Sequence, residues 1–385
     1  MAPTGETRTW RLLGLVGLAN AVAVLSSPEA LINPIGEWVR RHQEGFSAAS
    51  VTIPSLAQVL LVPLVAVLSD RVQLAGGRRR GWLLLSALAA AACWWKFDPA
   101  GTSGISTPIG TAVLLFLAQA ALAIAGGLAV DVAVPAARTG AAVAIGRVGV
   151  FVAFVAAAAL GPLLDEGGTH ATTRLIAGAF ALLAVAVVVL GKEGPPTSRS
   201  YDTKVRPRGY WGCVLILLWI EGLGHISTFA FGARNAAGAA APAGLVPALA
   251  LLVACVYFAL ARSMTPSRLP TLAFALGVAC TLATIGRAVL PFPMAQVTAP
   301  LLVGAAWLPT VDVGMRFVRR ESAALGFWLL LAVPRFVSTM LAMPLLMRLG
   351  PLPVPASAVA GLSLGLLVVG ALGWRLSGRA VAAAP

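Results

Sequence analysis

Long apolar runs, separated by short polar segments, follow one another along the whole of this 385-residue chain. The runs are about 20 residues long, which is the length that an α-helix needs to cross the hydrocarbon core of a bilayer. Segments of about ten residues with alternating hydrophobicity, which would indicate a membrane β-barrel, do not occur. The pattern therefore predicts an all-α polytopic membrane protein.

Twelve of these runs are long enough to serve as membrane spans. A polar, proline-bearing stretch at 192–208 separates the sixth run from the seventh, and this composition is typical of a linker. We therefore predict a six-helix bundle at 1–191, a cytoplasmic linker at 192–208 and a second six-helix bundle at 209–385. The predicted spans 1 to 12 cover 10–35, 48–68, 81–97, 108–130, 140–164, 172–190, 209–232, 244–261, 269–290, 294–313, 322–346 and 354–376.

The positions of the 28 lysines and arginines test this span count, because membrane proteins concentrate basic residues in their cytoplasmic loops. When both termini are placed in the cytoplasm, most basic residues fall on that side, and Arg147, Arg287 and Arg335 fall inside spans. The few on the opposite side are Arg40, Arg41, Lys96, Arg174, Arg234 and Arg348. This asymmetry predicts a multi-pass protein of the inner membrane of the cell with both termini in the cytoplasm.

Composition argues against several other classes of protein. Charged residues make up 11% of the chain, whereas soluble domains average about 25%. The net charge of +14 belongs to the loops, and no soluble basic domain is present that could bind nucleic acid. The chain has three histidines and lacks a Gly-rich phosphate loop, a zinc pattern and a nucleophile motif. We therefore expect neither an enzyme nor a metal site.

The densest group of charges lies in the predicted loop between spans 2 and 3. Asp70 and Arg71 are followed there by Arg78, Arg79 and Arg80. An aspartate and arginines on a cytoplasmic loop can hold one conformation of a membrane protein and release it in another. The alternative is that the arginines only keep the loop in the cytoplasm. We favour a gate, because topology alone does not require Asp70.

A short repeat relates the ends of spans 4 and 10. Arg138 follows Asp131 at the same spacing at which Arg319 follows Asp312. The repeat falls where a duplication of six helices would place it. We therefore predict a structural or gating role for these four residues at the cytoplasmic ends of helices, with direct contact to the cargo as the alternative.

Charged side chains inside spans are candidates for contact with a cargo, since a charge in the membrane normally faces a cavity or a partner. Arg147 lies in span 5, and Arg335 lies near the middle of span 11. Both are candidate binding residues or counter-charges for a cargo.

A carboxylate and an imidazole share one face of span 7, because Glu221 and His225 are four residues apart. In a wet cavity such a pair can carry a proton or bind a polar group. The alternatives are a hydrogen-bonded pair that locks helix packing, or an axial ligand to the metal of a pigment. Alignment of Trp10 with Trp211 sets Asn20 of span 1 against Glu221, so that Asn20 is also a candidate.

The spans, the linker and the loop between spans 2 and 3 together resemble the major facilitator superfamily, whose loop signature is roughly G-x-x-x-D-R-x-G-R-R. Ser69-Asp70-Arg71 and Gly77-Arg78-Arg79-Arg80 match this signature in part, whereas the leading glycine is absent and the spacer is longer. The longer form is similar to two branches. One is the folate–biopterin transporters, and the other is the PucC-like proteins, which deliver bacteriochlorophyll and assemble light-harvesting complexes.

The resemblance implies two six-helix bundles with a cargo site between them near the middle of the membrane. It implies a transporter that moves a small or amphipathic solute by alternating access, with proton coupling as one option. Its partners would be the lipid bilayer and a small-molecule cargo, without a cofactor. The alternative is a PucC-like assembly factor, which would bind a chlorophyll-type pigment and light-harvesting polypeptides.

Overall fold

The computed structural model describes residues 5–26, 49–74, 77–97, 107–192, 207–235, 245–289, 293–348 and 355–382. Within these ranges the chain is almost entirely helical, and its one β-bridge joins Leu74 to Gly77 in the loop after α2. Short 3₁₀ helices at Pro266–Arg268 and Arg320–Ser322 precede α8 and α10. The α-helices are α1 (Gly5–Leu25), α2 (Ala49–Arg71), α3 (Arg80–Lys96), α4 (Thr107–Ala133), α5 (Thr139–Leu190), α6 (Pro207–Asn235), α7 (Leu245–Leu260), α8 (Leu269–Val289), α9 (Pro293–Arg316), α10 (Ala323–Arg348) and α11 (Ala356–Ala382).

Nine helical segments of the described chain are long and apolar enough to cross a membrane. This finding confirms the predicted all-α polytopic membrane protein. The segments are Glu6–Leu25, Ala112–Ala133, Thr139–Ala157, Ala171–Leu190, Pro207–Ser227, Pro266–Ala288, Val297–Arg316, Arg320–Ser338 and Ala356–Ala382.

The helix α5 differs from its prediction, because it covers both span 5 and span 6 as one continuous element of 52 residues. At a rise of about 1.5 Å per residue, such a helix is more than twice as long as the hydrocarbon core is thick. Its two apolar segments, Thr139–Ala157 and Ala171–Leu190, each have the length of one crossing.

The chain divides into two compact units. Unit 1 consists of Met1–Ala137, Ile145–Tyr201 and Arg320–Trp328. Unit 2 consists of Arg138–Ala144, Asp202–Arg319 and Leu329–Pro385. Two helices therefore begin in one unit and continue in the other. We call their beginnings the α5 start (138–144, in unit 2) and the α10 start (320–328, in unit 1). The predicted linker at 192–208 lies almost wholly outside the described residues, and its bounds stay a prediction.

Small residues allow the helices of unit 1 to pack closely. Helix α4 packs against α1, α2 and α3, and its inner face consists largely of buried alanines such as Ala121 and Ala125. Helices α1 and α5 meet at Gly17 and Gly149, where a side chain on either glycine would overlap with the opposite helix. Close approach at small residues is how membrane helices gain van der Waals contact without a hydrophobic driving force.

Trp219 lies at the centre of unit 2 and is fully buried. Its helix, α6, packs against α11, α9 and α8. The indole ring rests on Gly277 and Gly370, at both of which a Cβ would overlap with the ring. The indole N–H donates to Thr281 Oγ1 at 3.1 Å, so the polar end of this large side chain is satisfied inside the unit.

Candidate functional site

The carboxylate of Asp70 holds the beginning of helix α10. Its Oδ1 accepts from the backbone N–H of Ala324 and its Oδ2 from that of Leu325, both at 3.1 Å. These are two of the first four N–H groups of the helix, which have no partner within the helix itself. A carboxylate at a helix N-terminus is also favoured by the helix dipole. Asp70 therefore caps α10 from the end of α2, and we call this arrangement the Asp70 latch.

Arg79 keeps the charge of Asp70 balanced in the interior of unit 1. Its guanidinium is almost completely buried and donates to Asp70 Oδ1 at 2.5 Å, to Ser69 Oγ at 2.9 Å and to Asp131 Oδ2 at 2.9 Å. One rigid guanidinium thus joins the end of α2 to the end of α4. Asp131 contributes only one of its oxygens, since its Oδ1 is buried and accepts no hydrogen bond in the described part of the chain.

The arginines on either side of Arg79 have different partners. Arg78 donates to the backbone oxygen of Asp70 at 3.0 Å and to that of Glu321 at 2.8 Å, and so joins the loop to the 3₁₀ turn before α10. Burial, and next the charge of Arg79, lowers the pKa of Arg78 from its usual value. Arg80 donates to the carbonyls of Val187 and Val188 in the last turn of α5.

The shape of the loop keeps these neighbouring side chains apart. Gly77 has φ of 131°, a conformation that side chains rarely adopt, and it closes a bridge to Leu74. Trp82 donates from its indole N–H to the carbonyl of Val72 at 2.9 Å. Arg71 is exposed at the end of α2, outside this network.

Two adjacent glycines of α4 let the α10 start pack tightly into unit 1. A Cβ on Gly126 would overlap with the ring of Phe327, and a Cβ on Gly127 would lie 2.9 Å from the Cα of Ala324. Ala324 is fully buried in a cluster with Val62 and Ala66 of α2. The backbone N–H groups of the α10 start are therefore held against Asp70 by packing from behind.

Asp312 holds the beginning of α5 through a side-chain hydroxyl. Its Oδ1 accepts from Thr139 Oγ1 at 2.5 Å and from Nε and Nη2 of Arg316, both at 3.2 Å. Its Oδ2 accepts from the hydroxyl of Tyr257 at 2.9 Å. The carboxylate is buried in unit 2, where it joins α9, α7 and the α5 start, and we call this arrangement the Asp312 latch.

The two arginines of the sequence repeat have less central positions than the two aspartates. Arg138 is half-buried directly before Thr139, and Arg319 is exposed in the turn after α9. Asp131 pairs with Arg79, and Asp312 pairs with Arg316 one helical turn further on. The repeat thus identifies the aspartates as partners in ionic networks, whereas the arginines that meet them lie elsewhere in the sequence.

The predicted cargo residues of unit 1 lie at the junction of α1 and α5. Asn20 donates from Nδ2 to the carbonyl of Val16 at 2.8 Å, and it faces Gly146, where a Cβ would be 3.7 Å from that nitrogen. Arg147 is the next residue on α5, and its guanidinium lies 5.8 Å from the centre of the Phe151 ring. Asn20 and the backbone beside Arg147 are therefore neighbours.

The predicted cargo residues of unit 2 lie on two helices. Glu221 and His225 are both half-buried on α6, and Gly224 beside His225 faces Val303 of α9. Within the described residues, Glu221 makes no hydrogen bond or ion pair. Arg335 is exposed on α10. Arg287, a third arginine inside a span, is buried and donates to Ser227 Oγ at 2.7 Å.

Comparison with known protein families decides the superfamily. A family model described as the BT1 family matches residues 47–311, which is well over half of the chain. The chain belongs to the BT1 family. This family is of the folate–biopterin and PucC type within the major facilitator superfamily, so the predicted superfamily is confirmed, and the match includes both branches that the loop resembles. Among the curated proteins, a search finds no match to the sequence.

Solved structures share the fold of this BT1-family protein over nearly its whole length. One is the human organic anion transporter MFSD10 (TETRAN), with 14% identity, a TM-score of 0.72 and coverage of 97% of this chain and 100% of that one. A second is the proton:xylose symporter XylE, with 12% identity, a TM-score of 0.69 and coverage of 97% and 96%. A third is the E. coli fucose:proton symporter FucP, with 12% identity, a TM-score of 0.65 and coverage of 96% and 99%. At these identities the similarity shows the fold, and it confirms the predicted major facilitator fold.

Sequence reasoning missed three residues that the BT1-family structure places in the latches, namely Thr139, Tyr257 and Arg316. Each had a local signal. Thr139 directly precedes span 5, where a hydroxyl residue is a typical helix cap, and Arg316 follows Asp312 at the helical i, i+4 spacing. Tyr257 is one of three tyrosines in the chain. Each of these features is also common at ordinary helix ends, so that none of them alone identifies a contact of a latch.

Proposed function

We propose that this BT1-family protein is a secondary transporter that moves a small or amphipathic solute across the inner membrane by alternating access, with both termini in the cytoplasm. The observation that carries the proposal is the Asp70 latch. It grips the first turn of a helix whose remaining residues belong to unit 2. A movement of unit 2 that carries α10 with it must bend this helix or detach its first turn from Asp70.

The charges around Asp70 are suited to repeated release. Removing one partner of a buried ion pair is strongly unfavourable, because the other charge is left uncompensated. Asp70 avoids this penalty, since Arg79 and Ser69 belong to the same unit and keep their hydrogen bonds when the α10 start leaves. The hydrogen bonds that have to be exchanged for water are the two from the backbone of Ala324 and Leu325 to Asp70 and the one from Arg78 to the carbonyl of Glu321. The latch can therefore open and close without an unpaired charge in the interior.

We assign contact with the cargo to Asn20 and Arg147 in unit 1 and to Glu221, His225 and Arg335 in unit 2. Glu221 is the proposed proton carrier, because it is a half-buried carboxylate inside a membrane span and has no cationic partner in the described chain. An imidazole on the same helix face, that of His225, offers the proton an adjacent acceptor.

Uptake into proteoliposomes tests the proposal. Radiolabelled biopterin and folate serve as probes, with and without an inward proton gradient. The wild-type protein should accumulate at least one probe faster with the gradient, and Glu221→Gln should keep uptake but lose the stimulation. Glu6→Gln, which changes an exposed carboxylate of α1, is the matched control and should behave as wild type.

Two results would overturn parts of this assignment. If Glu221→Gln and Arg335→Ala both leave flux and its proton dependence unchanged, the proposed cargo site is wrong. If the wild-type protein moves neither probe and instead purifies with chlorophyll-type pigment or light-harvesting polypeptides, the PucC-like assembly function replaces transport.

A further inference from the structure

Two hydroxyl groups, those of Thr139 and Tyr257, take part in the Asp312 latch. Thr139 and Tyr257 donate to different oxygens of one carboxylate, at 2.5 Å and 2.9 Å. All three side chains are buried, with Asp312 only 1% exposed. The described residues give Asp312 one charged partner, Arg316, whose side chain is 31% exposed. The two hydroxyls therefore help to fix the position of this buried carboxylate.

The backbone of the α5 start is shaped to reach Asp312. At Gly140, a Cβ would lie 2.8 Å from Asp312 Oδ2 and 2.6 Å from the Cβ of Ala261, so a larger residue would push the turn away. The preceding Ala137 has φ of 53°, a left-handed conformation that is costly for alanine. A tight turn and a glycine thus bring the hydroxyl of Thr139 onto the carboxylate. Such strain persists only where the surrounding contacts impose it.

The grip on α5 is chemically different from the grip on α10. Asp70 binds backbone N–H groups, which no substitution in α10 other than proline removes. Asp312 binds α5 through the side chain of Thr139, and a single isosteric substitution can remove that bond. The partners on the other side, Tyr257 and Arg316, fix the orientation of the carboxylate from α7 and α9. They stay with Asp312 when α5 departs.

We propose that Thr139 and Tyr257 are positioning residues of a second latch, in which Tyr257 orients the Asp312 carboxylate and Thr139 ties the α5 start to it. This inference rests on the proposed alternating access, because α5 begins in unit 2 and continues in unit 1. Release of α5 from Asp312 is then a step of the cycle, separate from release of α10 from Asp70. The two residues set the rate of that step and do not touch the cargo.

Hydrogen exchange of the full-length protein in nanodiscs tests the latch itself. The variants are Thr139→Val, Thr139→Ser, Tyr257→Phe and the double variant Thr139→Val/Tyr257→Phe. Backbone amides 142–147 of α5 should exchange about tenfold faster in Thr139→Val and Tyr257→Phe, since each loses a hydrogen bond to a buried charged group. Amides 326–331 of α10 should be unchanged, and Thr139→Ser, which keeps the hydroxyl, should match wild type.

The double variant separates positioning from ordinary loss of stability. Because both hydroxyls act through one carboxylate, its exchange at 142–147 should equal that of Thr139→Val and not the product of the two single effects. Fully multiplicative effects, or wild-type exchange in Thr139→Val, would overturn the inference. If Thr139→Val does not insert or fold, Tyr257→Phe, which removes a single oxygen, decides the question: faster exchange at 142–147 with unchanged exchange at 326–331 supports the inference, and wild-type exchange at 142–147 overturns it.

Uptake kinetics separate a failure of the latch from a failure of the proposed function. For a probe that the wild type transports, Thr139→Val should change kcat by about threefold or more and leave KM unchanged, because the cargo contacts are intact. An unchanged kcat beside an active wild type counts against the latch as a step in the cycle. An inactive wild type counts against transport, and hydrogen exchange then still decides whether Thr139 and Tyr257 hold α5.

Discussion

Three adjacent arginines of this protein have the same chemistry and three separate tasks. Arg79 is buried among Ser69, Asp70 and Asp131, whereas Arg78 and Arg80 meet backbone carbonyls at the ends of other helices. Arg79 donates from all three of its nitrogens to side chains, those of Ser69, Asp70 and Asp131, whereas Nη2 of Arg78 lies 3.7 Å from Asp70 Oδ1. The effect of a substitution on stability should therefore depend more on which of the three arginines is changed than on the total charge.

Lysine substitutions test this difference among the arginines. Arg79→Lys keeps the charge but cannot reach three acceptors at once, so the free energy of unfolding should fall by about 2 kcal/mol. Arg80→Lys, the matched control, loses bonds to partly exposed carbonyls and should cost less than about 1 kcal/mol. Thermal unfolding in detergent measures both values. Equal costs would show that the triplet acts only as a block of charge.

Removal of the charge on Asp70 should weaken the protein and its first latch together. In Asp70→Asn, Arg79 loses its nearest counter-charge and α10 loses the anion at its N-terminus, so the expected cost is about 3 kcal/mol. Uptake should fall as well. Glu321→Gln changes an exposed carboxylate beside the same turn and should stay within about 0.5 kcal/mol of wild type. A stable Asp70→Asn protein with normal uptake would contradict the role of the latch.

At the residue scale, the sequence could show which residues would matter more readily than what they would contact. The sequence predicts a gate at Asp70 and the arginines because topology alone does not require Asp70. Their partners include the backbone of Ala324, Leu325 and Val188, and backbone groups leave no signature in a sequence. The position of Thr139 before span 5 is typical of a helix cap. Its hydroxyl instead donates to the carboxylate of Asp312, which lies far away in the sequence.

Helices α5 and α10 each have residues in both compact units, and glycines of α4 limit how closely the α10 start can pack. Gly126 and Gly127 lie where the α10 start meets α4, and each would overlap with it if it carried a side chain. The identity of these residues is therefore set by a neighbouring helix and not by the conformation of α4 itself.

Alanine at Gly126 should loosen the α10 start. In Gly126→Ala the new methyl group overlaps with the ring of Phe327, and overpacking of this kind costs about 1–3 kcal/mol. Exchange of amides 326–331 should become faster. Gly178→Ala on α5 meets no atom within 4 Å and should stabilise the protein by about 0.5–1 kcal/mol, as alanine does in a helix interior. Similar effects of both substitutions would contradict the packing argument.

The lengths of the apolar runs predicted most of the helices, because a bilayer requires about 20 apolar residues for each crossing. The polar segments that end α3, α4 and α9 lie close to the predicted ends of spans 3, 4 and 10. Hydropathy has no means of detecting that the beginnings of α5 and α10 belong to different units from the rest of these helices. That division depends on contacts between residues far apart in sequence.

At the scale of the whole molecule, transport should require the α10 start to leave its place in unit 1. Ala66 and Ala324 are both fully buried in one cluster, on α2 and on the α10 start. A disulfide between cysteines at these positions, in a chain with the exposed Cys255 replaced by serine, should stop uptake. Reduction should restore it, and each single cysteine variant should transport normally. Normal uptake by the oxidised double variant would rule out release of the α10 start.

The exchange of helix beginnings also has a consequence for how the chain can be divided. A cut within the polar stretch at 192–208 yields an amino-terminal fragment that carries the α5 start and a carboxy-terminal fragment that carries the α10 start. Each fragment thus contains a turn whose packing partners lie in the other fragment's compact unit. Co-expressed fragments should purify as a complex, and Asp70→Asn or Thr139→Val should lower its yield. The two latches would then act as the mutual recognition elements of a split protein.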